Sequence, residues 1–202
     1  MNTMDVNGRV FQVRKLLGKG KGGYSYLVMD GEREYVLKQI HHEPCSYYTF
    51  GDKLAAELHD YDRLCQAQVP MPRMLDVDRD QERILKEYIP GPTVYDLVKQ
   101  DALDPIYVTQ ARELSLSLER KGLNIDYFPT NFVVHDGMLF YIDYECNAFD
   151  PRWSFENWGA AYWSGTEATH DGKRHRNVKG FQRIQNPLLI RPKIVPAGRI
   201  QR

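Results

Sequence analysis

The chain has no apolar run that approaches the roughly 20 residues needed to span a bilayer. Its first residues, Met1–Asp5, lack the basic and apolar segments of a signal peptide. Cysteine is scarce as well: Cys45, Cys65 and Cys146 lie far apart, in neither a zinc-ligand spacing nor the even number of a complete disulfide framework. We therefore expect no membrane partner, no zinc site and a location in the reducing cytoplasm.

Net charge is also absent, because 27 basic and 27 acidic residues cancel. The charge is unevenly placed: from Asp171 to Arg202 there are nine Lys or Arg and one acidic residue, which gives this segment +8 and leaves −8 elsewhere. The basic stretch Lys173–Arg176 has few interleaved aromatic residues, which nucleic-acid-binding segments use. We interpret residues 164–202 as a basic, solvated and partly disordered tail, and nucleic acid as a disfavoured partner.

A length of 202 residues suffices for one domain, or for two small lobes that share a cleft. Alternating apolar and polar residues predict strands in the first part, and an apolar repeat of three and four predicts an amphipathic helix from Gly51 to Gln68. The break Pro90-Gly91-Pro92 separates this part from one with helical periodicity. The predicted strands are 10–17, 24–29, 34–40, 74–77 and 83–88, followed by helices at 94–99 and 107–121 and a hairpin of 132–134 and 138–142.

The segment Gly20-Lys21-Gly22-Gly23-Tyr24-Ser25 lies between the first two long predicted strands. Glycines let backbone N–H groups approach phosphate oxygens with no side chain in the way. Alternation along the next strand puts Lys38 on the face beneath this loop, and a buried lysine needs an anionic partner. Glu57, on the inner face of the predicted helix, could be that partner. Taken singly, an ordinary glycine hairpin and a surface lysine remain the alternatives.

Three oxygen-bearing side chains flank the predicted hairpin: Asp126 and Asn131 precede it, and Asp143 follows it. Phosphoryl transfer needs a group that orients the acceptor hydroxyl and groups that hold magnesium between phosphates. Mg²⁺ prefers oxygen ligands, often from only one or two side chains. The three residues meet these needs, whereas the alternative is that Asp126 caps a turn and Asp143 ends a strand.

In their order along the chain, these residues resemble those of the protein-kinase-like superfamily. Gly20 to Leu27 is similar to its phosphate loop, in a variant where Ser25 replaces the third glycine, and a match that starts at Gly18 is poorer. The resemblance implies ATP and Mg²⁺ as cofactors. The implied catalytic residues are Asp126 and Lys38, and the implied metal ligands are Asn131 and Asp143. The implied nucleotide-binding residues include Lys38 (the strand lysine) and Glu57 (its helix partner). The others are Gly20, Gly22, Gly23, Ser25, Leu27, and Glu87 and Ile89 of the hinge 85–89.

The resemblance implies an α+β, two-lobed kinase-like fold over residues 1–163, with an antiparallel-sheet lobe to about residue 90 and a minimal, mostly helical lobe from about 91 to 163. The sequence departs from the protein-kinase pattern in three places. Asn124-Ile125 stands in place of His-Arg, Phe128 replaces a lysine, and Asp143-Tyr144-Glu145 replaces Asp-Phe-Gly. In these traits the sequence resembles the RIO and lipopolysaccharide-core kinases and the aminoglycoside or choline kinases. We expect the later aromatic residues to form core beneath the catalytic loop: Tyr144, Phe149, Trp153, Phe155, Trp158, Tyr162 and Trp163.

Three functions remain open. An atypical serine/threonine protein kinase, which transfers the γ-phosphate of ATP to a hydroxyl, is favoured because the glycine loop and the pair Pro129 and Asn131 resemble protein kinases. A small-molecule kinase of the aminoglycoside, choline or sugar type is supported by Phe128 and Glu145, although we assign Glu145 no role. A pseudokinase that binds nucleotide and recruits a partner through the basic tail is the third. The acceptor is accordingly a protein or a small-molecule hydroxyl.

Overall fold

The computed structural model describes residues 2–43, 51–164, 166–168 and 174–176. These residues form a mixed α+β structure that contains a six-stranded antiparallel sheet, as the α+β prediction requires. The predictions for the basic tail and for Cys45 lie largely outside the described residues. Among the residues that are described, no helix combines the length and the apolar character needed to cross a membrane.

The large sheet has the strand order β1-β2-β3-β4-β6-β5, and every neighbouring pair is antiparallel. Five of its strands agree with the predicted ones to within about two residues. The strands are β1 (Thr3–Val6), β2 (Arg9–Lys19), β3 (Gly23–Asp30), β4 (Arg33–Ile40), β5 (Met74–Asp78) and β6 (Arg83–Glu87).

The first strand, β1, is absent from the sequence prediction, and the structure adds it at one edge of the sheet. Asn7 and Gly8 join it to β2 with φ angles of +49° and +82°. Two-residue hairpin turns favour this left-handed conformation, and Asn-Gly is the pair most suited to it. Val6 and Phe11 are fully buried in one apolar cluster with Val28, so side-chain packing supports the hairpin.

Helix α1 (Lys53–Gln66) packs beside the sheet. It begins after Asp52, whose carboxylate accepts a hydrogen bond from the Ala55 amide at 2.8 Å. The predicted span was two residues longer at each end, because Asp52 and Ala67 cap the helix instead of continuing it. Leu54 lies in a buried cluster with residues of the sheet, and Glu57 shares that inward face.

The second part of the chain contains helices α2 (Val94–Lys99), α3 (Pro105–Arg120) and α4 (Ala160–Trp163) and four short strands, β7 (Leu123–Ile125), β8 (Phe132–His135), β9 (Met138–Tyr141) and β10 (Cys146–Ala148). Strands β8 and β9 form the predicted hairpin, and β7 pairs with β10. Ile125 lies opposite Cys146 in that pair, which brings the segment after β7 next to the segment before β10. Beyond α4, β11 (Thr166–Ala168) pairs with β12 (Arg174–Arg176).

Gly91 carries the chain between the two parts. Its φ is +143°, and a Cβ on this residue would lie 2.0 Å from the carbonyl oxygen of Val134. Only glycine therefore fits here. The connection is fixed to β8 by a hydrogen bond from the Val134 amide to the Pro92 carbonyl at 3.1 Å and by a bridge between Thr93 and Val133.

Aromatic side chains occupy much of the core of the second part. Trp163 packs edge-on against Phe132 and Phe155, and its indole N–H donates to the Tyr127 carbonyl at 2.7 Å. Of the seven aromatic residues predicted as core, three are buried: Tyr144, Phe155 and Trp163. The other four, Phe149, Trp153, Trp158 and Tyr162, are half-buried.

Candidate functional site

The glycine loop forms the turn between β2 and β3. The Gly20 amide donates to the Gly23 carbonyl at 2.9 Å, so the tip consists of residues 20–23. A Cβ on Gly23 would lie 2.4 Å from the Gln39 carbonyl oxygen, which explains why glycine is needed there. A Cβ on Gly22 would lie 3.7 Å from the Lys38 Nζ. The tip of the hairpin therefore lies directly over the Lys38 ammonium.

Two residues that the resemblance assigns to the phosphate loop lie in a strand, as the predicted strand 24–29 implies. Ser25 and Leu27 are part of β3, because the strand already begins at Gly23. Ser25 pairs with Gly18 on one side and with Lys38 on the other. Ser25 is thus beside the loop, next to the strand that carries Lys38, and Leu27 is buried.

Lys38 and Glu57 form the predicted ion pair. The Lys38 Nζ lies 2.7 Å from one Glu57 carboxylate oxygen and 2.8 Å from the other, and the side chains are only 12% and 9% exposed. Burial disfavours the ammonium of Lys38, but Glu57 and Asp143 outweigh burial and raise the pKa of Lys38 above its ordinary value. Lys38 is therefore a fixed positive charge at neutral pH.

Asp143 is brought to the same ammonium by the end of the β8–β9 hairpin. Its Oδ1 atom lies 3.6 Å from the Lys38 Nζ and accepts a hydrogen bond from the Tyr144 amide at 2.8 Å. Burial favours the neutral acid, yet the charges of Lys38 and Lys86 prevail and hold the pKa of Asp143 below its ordinary value. The side chain is one-third exposed, so an ionised carboxylate is accessible to solvent.

Asp126 and Asn131 lie at the same end of this hairpin. The Asn131 side-chain amide donates to the Asp126 carbonyl at 3.3 Å, and the Ile142 amide donates to the Asn131 carbonyl at 2.9 Å. Asp126 also accepts a hydrogen bond from the Phe128 amide at 3.1 Å. These bonds fix the loop that carries Asp126 and Asn131 to the residue that precedes Asp143.

The buried hydroxyl of Tyr141 lies near three carboxylates, those of Asp143, Asp126 and Glu145. Its pKa is raised well above the ordinary value, first by burial and then by the negative charges of Asp143, Asp126 and Glu145. The hydroxyl donates to the Glu145 carbonyl at 2.8 Å. Three carboxylates from separate positions in the chain thus lie within electrostatic range of one group.

Phe128 occupies the position where the kinase pattern has a lysine. Its ring packs edge-on against Tyr162, with ring centroids 5.3 Å apart, and both side chains are half-buried. The loop after Asp126 therefore presents an aromatic surface at this point, not a cation.

The predicted hinge lies at the end of β6. The Glu87 amide donates to the Arg73 carbonyl at 2.9 Å, and the Glu87 carboxylate accepts from Arg73 at 3.3 Å. Glu87 is therefore held by Arg73, the residue that precedes β5. The Glu87 amide is therefore used within the sheet, whereas the Ile89 backbone makes no hydrogen bond in the described part of the chain.

Lys86 lies in the predicted hinge 85–89, but the sequence prediction gives its side chain no role in the site. In the register of β4 and β6, Val36 lies opposite Lys86 and Lys38 opposite Ile84, so these side chains point to one face of the sheet. Lys86 is only 4% exposed, and its Nζ donates to the Ile142 carbonyl at 3.0 Å. Alternation with the apolar Ile84 is the signal that could have identified it.

The Lys86 ammonium is costly to bury. Burial and the nearby charge of Lys38 lower the pKa of Lys86 from 10.5 to about 8, against the opposing effect of Glu57 and Asp143. The unfolded chain therefore binds more protons than the folded chain between pH 8 and pH 10.5. The free-energy cost of burying the Lys86 ammonium is therefore at its full value below pH 8 and disappears as the pH rises toward 10.5.

A Lys86→Met substitution is therefore expected to stabilise the fold at neutral pH. Removal of the buried charge should raise the free energy of unfolding by about 3 kcal/mol at pH 7 and by less than about 1 kcal/mol at pH 10. Loss of the hydrogen bond to Ile142 offsets about 1 kcal/mol of this at either pH. Urea unfolding at the two pH values measures the difference, with the exposed Lys15→Met as the control. A variant that is less stable than the wild type at pH 7 would contradict the expectation.

The site contains few of the ligands typical of transition metals. Within the described residues, no group of three or more His, Cys, Asp or Glu is arranged to hold a metal ion. Asp143 and Asn131 supply one carboxylate and one amide, a set that suits Mg²⁺ only when phosphates and water complete the coordination.

Comparison with known proteins adds no assignment: no protein-family model matches the chain, and no curated protein matches it. The chemistry of the site therefore carries the functional argument.

Proposed function

We propose that this protein is an ATP- and Mg²⁺-dependent phosphotransferase with a two-lobed protein-kinase-like fold, and that it transfers the γ-phosphate of ATP to a hydroxyl. One observation carries the proposal: the Lys38 ammonium lies beneath a glycine hairpin and contacts two carboxylates from different elements, Glu57 at 2.7 Å and Asp143 at 3.6 Å. A fixed cation, an ionised carboxylate and a glycine hairpin whose backbone a phosphate can approach are the groups that bind a metal–triphosphate.

A purely structural ion network is the alternative explanation. Buried ion pairs stabilise folds little, and apolar residues of similar volume often stabilise them more. This cluster contains a second buried ammonium, Lys86, in addition to Lys38. Such an arrangement is costly for stability, and strongly perturbed titratable groups cluster at functional sites. The cost favours a functional explanation.

The residues of the site divide into three roles in this proposal. Backbone amides of the hairpin tip and Lys38 bind the phosphates, and Ile89 offers its backbone to the base. Asn131 and Asp143 would hold Mg²⁺, which when bound neutralises negative charge on the phosphates. Asp126 orients the acceptor hydroxyl and accepts its proton. The main contribution of the protein is then positioning and electrostatic stabilisation.

We favour a serine/threonine protein kinase as the acceptor class, as the motif Asp126 to Asn131 suggests. A small-molecule kinase is the second candidate, since the aromatic pair Phe128 and Tyr162 replaces a phosphate-binding lysine with a surface suited to an apolar acceptor group. A nucleotide-binding pseudokinase is disfavoured because all the groups required for metal and phosphate binding are present. The scarcity of cysteine supports a cytoplasmic location.

Removal of the metal tests the proposal. Excess EDTA is expected to stop phosphate transfer completely, and Mg²⁺ added back beyond the EDTA should restore it. The Asp143 carboxylate and the phosphates are both anionic, so they need a cation between them. Transfer of labelled γ-phosphate to a protein acceptor and to a set of small hydroxyl compounds is the measurement. Transfer that continues undiminished in EDTA would reject the assignment of the metal ligands.

A further inference from the structure

Lys86 lies where an apolar side chain would pack at lower cost. It is on the inner face of β6, where its neighbour on that face, Ile84, is fully buried. Its surroundings include charged and titratable groups from three other segments: Lys38 of β4, Glu57 of α1, and Asp143 and Tyr144 after β9. A buried cation beside another cation calls for an explanation beyond packing.

The contacts of Lys86 lie on both sides of Asp143. Its Nζ donates to the carbonyl of Ile142 at 3.0 Å and lies 4.1 Å from the ring centroid of Tyr144. A charged hydrogen bond to a carbonyl and a cation over an aromatic face are both favourable when water is excluded. One side chain of the large sheet thus holds the two residues that flank the candidate metal ligand.

Tyr144 is itself fixed from two further directions. Its hydroxyl donates to the Pro72 carbonyl at 2.8 Å, and its ring packs against Tyr61 of α1 at 4.7 Å between centroids. Pro72 lies just before β5, so the ring is held between the sheet, the helix that carries Glu57 and Lys86. In the described part of the chain, Lys86 is the one side chain that bonds to the Ile142 backbone, and the Ile142 amide bonds to the Asn131 carbonyl.

We infer that Lys86 is a positioning residue, which holds the backbone at Ile142 and the ring of Tyr144 so that the Asp143 carboxylate faces the metal and phosphates. The inference rests on the proposed function for the role of Asp143. A methionine in its place would fill the volume and contact Tyr144, but it could not donate to the Ile142 carbonyl. Arginine would retain the positive charge and the donor.

Amide hydrogen exchange tests the positioning without any ligand. In Lys86→Met, the peptide that covers residues 141–146 should exchange at least about tenfold faster. The backbone at Ile142 and Tyr144 is then no longer held by Lys86, so their amides open more often. Lys86→Arg should restore part of the protection, and the exposed Lys15→Met should leave it unchanged. Wild-type protection of this peptide in Lys86→Met would overturn the inference.

Magnesium dependence of nucleotide binding provides the second readout, by calorimetry with ATP in the presence and absence of Mg²⁺. Lys86→Met should weaken the Mg²⁺-dependent part of the affinity by about tenfold or more, as loss of groups that orient metal ligands does. Its Mg²⁺-free affinity should fall by much less, because the substitution removes one nearby positive charge but leaves Lys38 and the glycine hairpin in place. Equal loss with and without Mg²⁺ would overturn the inference and indicate general damage to the pocket.

The two readouts separate failure of the inference from failure of the proposed function. If the wild type neither binds nucleotide nor transfers phosphate, the proposed function is rejected, while the exchange measurement still decides whether Lys86 holds residues 142–144. If the wild type is active but exchange and Mg²⁺ dependence are unchanged in Lys86→Met, only the inference is rejected. Urea unfolding of the same variants establishes that each is folded.

Discussion

Asparagine in place of Asp143 is expected to lower the rate of phosphate transfer by about a thousandfold or more. The substitution keeps the size of the side chain and an oxygen that can accept the Tyr144 amide, which lies 2.8 Å from Asp143 Oδ1. It removes the negative charge that would bind Mg²⁺ and that faces the Lys38 ammonium. The loss should therefore appear mainly in kcat and in the Mg²⁺ concentration required, and less in the folding of the chain.

Asp136→Asn is the matched control for this variant. Asp136 lies in the turn of the same β8–β9 hairpin, and its side chain is 87% exposed. Its φ is +47°, a conformation in which asparagine is readily accommodated. The control should transfer phosphate at the wild-type rate. If Asp143→Asn kept more than about a tenth of wild-type activity, a charged metal ligand at this position would be excluded, since such ligands are worth far more than tenfold.

Methionine in place of Lys38 is expected to lower transfer by a factor of about 100 to 1,000. Lys38 provides the fixed positive charge beneath the glycine hairpin, and methionine fills its volume without that charge. The same change leaves Glu57 buried without its cation, because the Glu57 side chain is only 9% exposed. We therefore also expect a loss of about 3–5 kcal/mol in the free energy of unfolding, as when one partner of a buried pair is removed.

The double variant Lys38→Met/Glu57→Gln separates the two effects. Glutamine removes the stranded negative charge, so much of the lost stability should return. Activity should not return, because no cation is restored beneath the hairpin. Urea unfolding and labelled phosphate transfer on the two single variants and the double variant measure this. Recovery of activity together with stability would mean that Lys38 acts only through the fold.

The sequence predicts the Lys38–Glu57 pair because both residues follow a regular period. Alternation along β4 places Lys38 on the inner face, and the repeat of α1 places Glu57 on the face that packs against the sheet. The two residues are also only 19 positions apart. Periodicity and short separation along the chain are the features that sequence patterns represent well.

The sequence does not predict contacts between distant segments, and Lys86 illustrates this. Its partner Ile142 is 56 residues away and lies just after β9, outside the large sheet. Nothing in the periodicity of β6 indicates which backbone carbonyl will meet its ammonium. The start of β3 at Gly23, one residue before the predicted start of that strand, depends on pairing with Ile40, which the local glycine pattern does not show.

The most direct test of the proposed phosphotransferase is a comparison of the wild type with Asp126→Asn in the transfer of labelled γ-phosphate from Mg-ATP to a generic protein acceptor and to small hydroxyl compounds. The variant keeps the shape of Asp126 and removes its ability to accept the hydroxyl proton. We predict acid-stable label on serine or threonine with the wild type, and at least about a hundredfold less with the variant. ATP bound by the wild type with no label on any acceptor, or equal labelling by both proteins, would contradict the account.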